Sequence, residues 1–198
     1  MIANRDRGFV CFSIPKTASE SVRAALSSLA QVKVSTLEET DSQQPFYNHM
    51  TAQEFFQTTE DQFQTLVSTV RNPFDRISSL YSMFLRSSLP YYSSLSLDTF
   101  LHDVCPNNPY DKSFGKGWIR NGPKTQVDFL SNRVKPVSTY RIESDLRLLE
   151  EDLSNLFNTK VEIHHKNKTS RLKPNNLTRE QKKIIELKYA LDFETLGY

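Results

Sequence analysis

The residues Ile14-Pro15-Lys16-Thr17-Ala18-Ser19-Glu20-Ser21 gather one lysine and three hydroxyl side chains directly after the apolar run Phe9-Val10-Cys11-Phe12. That set of groups suits a phosphate or a sulfate. An apolar run of this length reads as a buried strand. Beyond Glu20, the residues Val22, Ala25, Leu26 and Leu29 repeat at helical spacing. In a strand–turn–helix of this kind the free N–H groups and the dipole of the first helical turn face the anion, and Lys16 adds a full charge. The segment is not a Walker loop, which needs G-x-x-x-x-G-K-[ST]; it contains no glycine. The plainer reading is an ordinary strand-to-helix turn in which Ser19 caps the helix.

A second set of residues has the same layout. Leu66-Val67-Ser68-Thr69-Val70 reads as another buried strand and runs into Arg71-Asn72-Pro73-Phe74-Asp75-Arg76. Pro73 suits the first turn of a helix, and Ile77, Leu80, Tyr81 and Phe84 continue at helical spacing. Arg71 therefore falls at the carboxyl end of a strand, where open α/β sheets bind ligands. Ser79 lies on the helix, beside the apolar stripe. A guanidinium matches phosphate geometry, so Arg71 and Ser79 could grip a second phosphate. Taken alone, the segment equally allows Arg71 in a surface ion pair and Ser79 as a solvated helix residue.

Together the two segments resemble the sulfotransferases that use 3′-phosphoadenosine 5′-phosphosulfate (PAPS). That family's phosphosulfate loop has the form P-K-T-[GA]-[ST]-x-[ST], here Pro15 to Ser21. Its 3′-phosphate motif is an Arg, then Asn/Asp-Pro, then a Ser, here Arg71, Asn72-Pro73 and Ser79. The wording is closest to the Golgi glycan sulfotransferases and their bacterial relatives. It is strong through the helix carrying Ser79 and looser beyond. The resemblance implies a P-loop-like nucleotide-binding fold, with Lys16, Thr17, Ala18, Ser19, Glu20 and Ser21 around the 5′-phosphosulfate and Arg71 and Ser79 on the 3′-phosphate. Glu20 departs from the pattern, since many relatives carry Thr or Arg there. In relatives a C-terminal loop closes over the nucleotide. The stretch His165 to Arg171 looks like that loop, with Lys168 and Arg171 as its cations.

Sulfuryl transfer to an alcohol requires removal of the hydroxyl proton, which a His near neutrality or a carboxylate can accept. Of the four histidines, His102 sits in an apparently amphipathic helix. His164 and His165 are adjacent at a strand end, without a third ligand at zinc spacing. His49 lies between the two motifs, just before a capped helix. In glycan sulfotransferases a His in this interval is the base, and the resemblance extends that role to His49. It implies in-line transfer, with Lys16 steadying the bridging oxygen as adenosine 3′,5′-bisphosphate leaves and with no metal.

The acceptor is expected to be a hydroxyl compound, with a saccharide favoured. Its candidate region is Ser87 to Lys124, with Tyr91, Tyr92, Phe114 and Trp118, three glycines and the cations Lys116, Arg120 and Lys124. The alternative there is a long surface loop with its aromatics tucked onto the body.

Composition fits one soluble enzyme domain over residues 1–198: 37% hydrophobic and 24% charged residues, with a net charge of +2. No stretch reaches the roughly 18 apolar residues of a membrane span. The N-terminus runs straight into the first strand without a signal peptide, so a cytoplasmic location is expected. Two cysteines make no disulfide framework. Residues 160–183 are basic but lack interleaved aromatics, which argues against specific nucleic-acid binding.

The pattern predicts strands over 8–14, 66–70, 137–142 and 160–164. It predicts helices over 19–30, 51–57, 73–86, around 125–131, 144–157 and 178–190. This alternation argues for an α/β fold with a central parallel sheet flanked by helices. Thr51-Ala52-Gln53-Glu54 and Thr178-Arg179-Glu180-Gln181 read as capping boxes. Two other functions remain open on these residues. One is a nucleotide-dependent phosphoryl transferase, disfavoured by the missing Walker glycines. The other is a non-catalytic module binding the bisphosphate or polyanions.

Overall fold

The computed structural model describes residues 1–32, 34–43, 45–106, 117–164 and 176–198. It holds a four-stranded sheet in the order β1 (Ile2–Asn4), β2 (Phe9–Phe12), β3 (Thr65–Val70) and β4 (Ser138–Arg141). β2, β3 and β4 are parallel, with Phe12 opposite Ser68 and Val70 opposite Arg141. β1 is antiparallel to β2, with Ala3 opposite Val10. The sheet is thus mostly, not wholly, parallel. A three-residue strand is too short to show a period, and only the turn at Gly8 (φ 55°) folds it back onto the edge.

Helices fill the crossovers. α1 (Ser19–Ala25) follows β2, α2 (Ala52–Thr58) precedes β3, and α3 (Pro73–Phe84) follows β3. Two short helices, α4 (Pro90–Ser93) and α5 (Leu97–Thr99), lead into a π-turn over Phe100–Val104. His102 is exposed in that turn. α6 (Gly117–Asn121) and α7 (Gln126–Leu130) precede β4, and α8 (Leu146–Phe157) follows it. α9 (Arg179–Lys188) and α10 (Ala190–Leu196) complete the described chain. Thr51 and Thr178 both form the capping boxes their sequences suggest, with Glu54 and Gln181.

Side chains alternate across the strands, so each face of the sheet carries its own core. Val10, Phe12, Leu66 and Val70 pack with Phe55 and Phe129 on one face. Phe9, Cys11 and Val67 pack with Val22, Leu149, Leu153 and Phe157 on the other. A third cluster joins α3 to residues 92–105 and to α9, through Leu80, Phe84, Tyr92, Phe100 and Ile185.

The strand expected over 160–164 does not form. Val161 and Ile163 are buried beneath α8. Their N–H groups donate to the Ser154 hydroxyl at 2.9 Å and to the Glu150 carboxylate at 2.6 Å. Alternating burial reports one covered face, and here a helix covers it rather than a sheet. Among the described residues no helix is long and apolar enough to cross a membrane.

Candidate active site at the carboxyl ends of β2 and β3

The loop from Ser13 to Ala18 leaves the carboxyl end of β2 beside β3. Every one of its carbonyls accepts a hydrogen bond from within the protein. Ser13 O is met by His49 Nδ1 at 2.7 Å and Ile14 O by the Thr17 hydroxyl at 3.0 Å. Pro15 O takes Arg76 Nε at 3.3 Å, Lys16 O takes Arg71 Nη1 at 3.4 Å, and Thr17 O takes the Thr69 hydroxyl at 2.6 Å. Ala18 O receives the N–H groups of Ser21 and Val22 at 2.9 and 3.1 Å. Across each trans peptide the N–H points opposite to the C=O, so these bonds also fix the direction of the loop's N–H groups.

Two residues make that turn possible. Lys16 (φ 70°) and Ala18 (φ 60°) are both left-handed. This conformation costs an L-residue roughly 1–2 kcal/mol. Successive N–H groups in such a conformation form an anion-binding concavity. Ala18, not Ser19, is the N-cap of α1, and no side chain caps the helix. The capping role considered for Ser19 is therefore not taken.

The site is cationic. Lys16 is partly buried. Its ammonium pKa is lowered by burial first, then by the nearby charges of Arg86 and Arg71, with Glu20 opposing. Arg86 was not singled out by any sequence pattern. It follows α3, and its Nε donates to Ser82 O at 3.0 Å. Arg71 also faces Asp75 at 3.6 Å. Glu20, the departure from the pattern of the resemblance, is paired on its own helix. Both its oxygens bind Arg23 Nη2, at 2.6 and 2.5 Å. Arg23 Nη1 in turn donates to Asn48 Oδ1 at 2.7 Å. The Glu20 charge is thereby paired within its own helix.

Thr17 is fully buried, and its hydroxyl is spent on Ile14 and on Thr69, 3.3 Å away. It braces the loop from inside. On α3, the Ser78 and Ser82 hydroxyls donate back to helical carbonyls at 2.7 and 2.9 Å. The Ser79 hydroxyl makes no such bond among the described residues.

His49 sits in a left-handed turn (φ 63°) beside this loop and is partly exposed. Because Nδ1 faces a carbonyl it carries the proton, which leaves the Nε2 lone pair free to accept one. Burial, together with nearby positive charges that include Arg23 and Lys16, lowers the imidazole pKa to about 3. The ring is neutral across the physiological range. Asn121 holds the turn from the other side, donating to His49 O at 2.9 Å and to the Tyr47 hydroxyl at 3.2 Å. Glu54, the capping-box residue of α2, pairs with Arg120 at 3.3 Å.

The largest brace is Arg76, fully buried. Besides Pro15 O, its guanidinium donates to Gly122 O at 2.6 Å and Lys124 O at 3.0 Å. Burial lowers its pKa, against the opposing pull of Tyr189 and Asp192. One signal in the sequence marks it: Arg76, Leu80 and Phe84 share an i, i+4 stripe, so a charge lies where the helix is apolar.

Several expected acceptor groups lie elsewhere. Tyr92 is fully buried, edge-on to Phe84 with ring centroids 4.8 Å apart. It is core, which is the plainer of its two readings. Lys168, Arg171, His165, Phe114 and Lys116 lie outside the described residues. Among the described residues no group of three or more His, Cys, Asp or Glu could hold a metal ion.

No curated protein and no solved structure matches the chain. A family model described as Sulfotransferase family matches residues 1–116, which contain both strand-to-helix junctions and His49. The match spans more than half of the sequence, and the chain belongs to the sulfotransferase family.

Proposed function

We propose that this chain is a single catalytic domain that moves a sulfuryl group from PAPS to a hydroxyl acceptor, with His49 as the base. The observation that carries the reading is the loop at Ser13–Ala18. Its carbonyls are all satisfied inward while Lys16, Arg71 and Arg86 gather beside it. Such a surface fits a multiply charged anion, and these residues fit the two phosphoryl ends of PAPS. The donor, when bound, supplies the activated sulfuryl group and a stable leaving group.

The chain's own residues do the rest. The N–H groups of the loop, with the hydroxyls of Ser19 and Ser21, hold the 5′-phosphosulfate. Lys16 places positive charge where the bridging oxygen becomes negative as the sulfur–oxygen bond breaks. Arg71 and Ser79 hold the 3′-phosphate. His49 Nε2 takes the acceptor's proton as its oxygen bonds to sulfur, and Nδ1 stays on Ser13 O to keep the tautomer. Such catalysis is positioning and electrostatics. An anion beside Lys16 offsets the positive field on His49, so donor binding raises the basicity of Nε2. A saccharide is the acceptor class the resemblance implies.

Thermal unfolding with adenosine 3′,5′-bisphosphate, with ATP as comparison, tests this. At one hundred times its dissociation constant a ligand adds about 2.7 kcal/mol of stability. The expected result is a selective upward shift that Lys16→Ala and Arg71→Ala both abolish. No shift in folded protein refutes the donor assignment.

A further inference from the structure

The donor site leans on residues beyond the family match. Arg71 is the first residue past the end of β3, where the ladder has stopped and Pro73 approaches. Its backbone is nevertheless paired on both sides by one side chain. Gln126 Oε1 accepts from Arg71 N–H at 2.8 Å, and Gln126 Nε2 donates to Arg71 O at 2.8 Å. Gln126 is fully buried at the start of α7. It stands in for a neighbouring strand.

Gln126 is itself fixed. Asp192 of α10, also fully buried, accepts Gln126 N–H at 2.9 Å, Gln126 Nε2 at 3.3 Å and Val127 N–H at 2.9 Å. A carboxylate here requires the amide nitrogen on its side, so the Oε1 of Gln126 has to face Arg71 N–H. Among the described residues the guanidinium of Arg71 has long contacts, 3.4 Å to Lys16 O and 3.6 Å to Asp75. Its aim is therefore set by where its backbone is pinned rather than by partners along the side chain.

We propose that Gln126, oriented by Asp192, is a positioning residue that sets Arg71 for the 3′-phosphate and so determines how strongly the site prefers a 3′-phosphorylated nucleotide. This rests on the reading of the site as a PAPS site. Residues 126 and 192 lie outside the matched 1–116, so the part of the chain beyond the match takes part in donor selection through the backbone of the 3′-phosphate motif.

Calorimetric titration of the full chain with adenosine 3′,5′-bisphosphate and with adenosine 5′-monophosphate separates the possibilities. Arg71→Ala gives the full loss of preference. Gln126→Met keeps the volume and removes both bonds to Arg71. It is expected to lower bisphosphate affinity about tenfold while leaving monophosphate affinity unchanged. Gln126→Leu removes both bonds with a different side-chain shape. It moves the preference the same way and serves if the methionine variant fails to fold. An unchanged preference in either folded variant overturns the proposal, as does an equal loss for both nucleotides, the mark of a purely structural role. A wild-type chain with no preference for the bisphosphate overturns the PAPS reading and this proposal with it.

Discussion

The two strand-to-helix junctions share a layout but solve opposite problems. At β3–α3 the helix start is satisfied locally. The Asn72 side chain accepts from Phe74 N–H at 3.0 Å, and Pro73 at the first turn has no N–H to satisfy. At β2–α1 the N-cap Ala18 makes no side-chain cap bond, two residues sit in the left-handed region, and the loop is held by groups from β3, α3 and the His49 turn. The first junction can therefore lend side chains, Arg71 and Ser79, from a rigid frame. The second presents backbone, and its conformation is kept only because the surrounding fold over-determines it.

Removing groups attached to the β2–α1 junction should disturb function most. His49→Ala is expected to lower kcat by about 10²–10⁴-fold, the usual yield of a general base, with the fold intact and bisphosphate affinity little changed. Steady-state kinetics and titration on one preparation read both. The same residue shapes the acid stability curve. Its imidazole titrates near 6.5 in an unfolded chain and about 3 here. Between those values the unfolded chain takes the proton and the folded one does not, so stability is full above about 6.5 and is lost as pH falls towards 3. Denaturant titrations from neutral to acid pH should show that slope, and His49→Gln should flatten it.

Ala18 separates the junctions next. Ala18→Val places a β-branched side chain at φ 60° and should cost about 2 kcal/mol or more, with bisphosphate binding weakened. Ala18→Gly relieves the same strain and should stabilise by up to about 1 kcal/mol, with binding retained. If valine is tolerated as well as glycine, the loop is not held in the strained form described, and the contrast between the junctions falls.

The smallest effect belongs to β3–α3. Asn72→Ala removes a cap and should cost about 1 kcal/mol in denaturant unfolding with nucleotide affinity unchanged. A change in affinity would mean that the cap, and not only Gln126, aims Arg71.

The two junctions were legible in the chain. Apolar runs, a proline and helical spacing, all of them local, placed Lys16, Arg71 and Ser79 on two strand-to-helix junctions, whereas the choice of His49 came from the resemblance. The strands β2 and β3 were legible from their apolar residues. The structure was not legible at Ile2–Asn4, too short for a period, or at Val161 and Ile163, where alternation could not say whether a strand or a helix supplied the cover. Arg76 left a trace as a charge on an apolar stripe. Gln126 and Asp192 left none, because a buried amide bonded to a distant backbone has no pattern of its own.

The amino-acid order alone determined which chemical groups the molecule carries to the ends of β2 and β3, because strand and helix periodicity are properties of neighbours in sequence. Only the tertiary structure decided which way those groups face. The bonded carbonyls of Ser13–Ala18, the tautomer of His49 and the pinning of Arg71 by Gln126 each depend on a hydrogen bond that the final packing brings within reach. A polar group withdrawn from water must find a partner wherever the fold offers one.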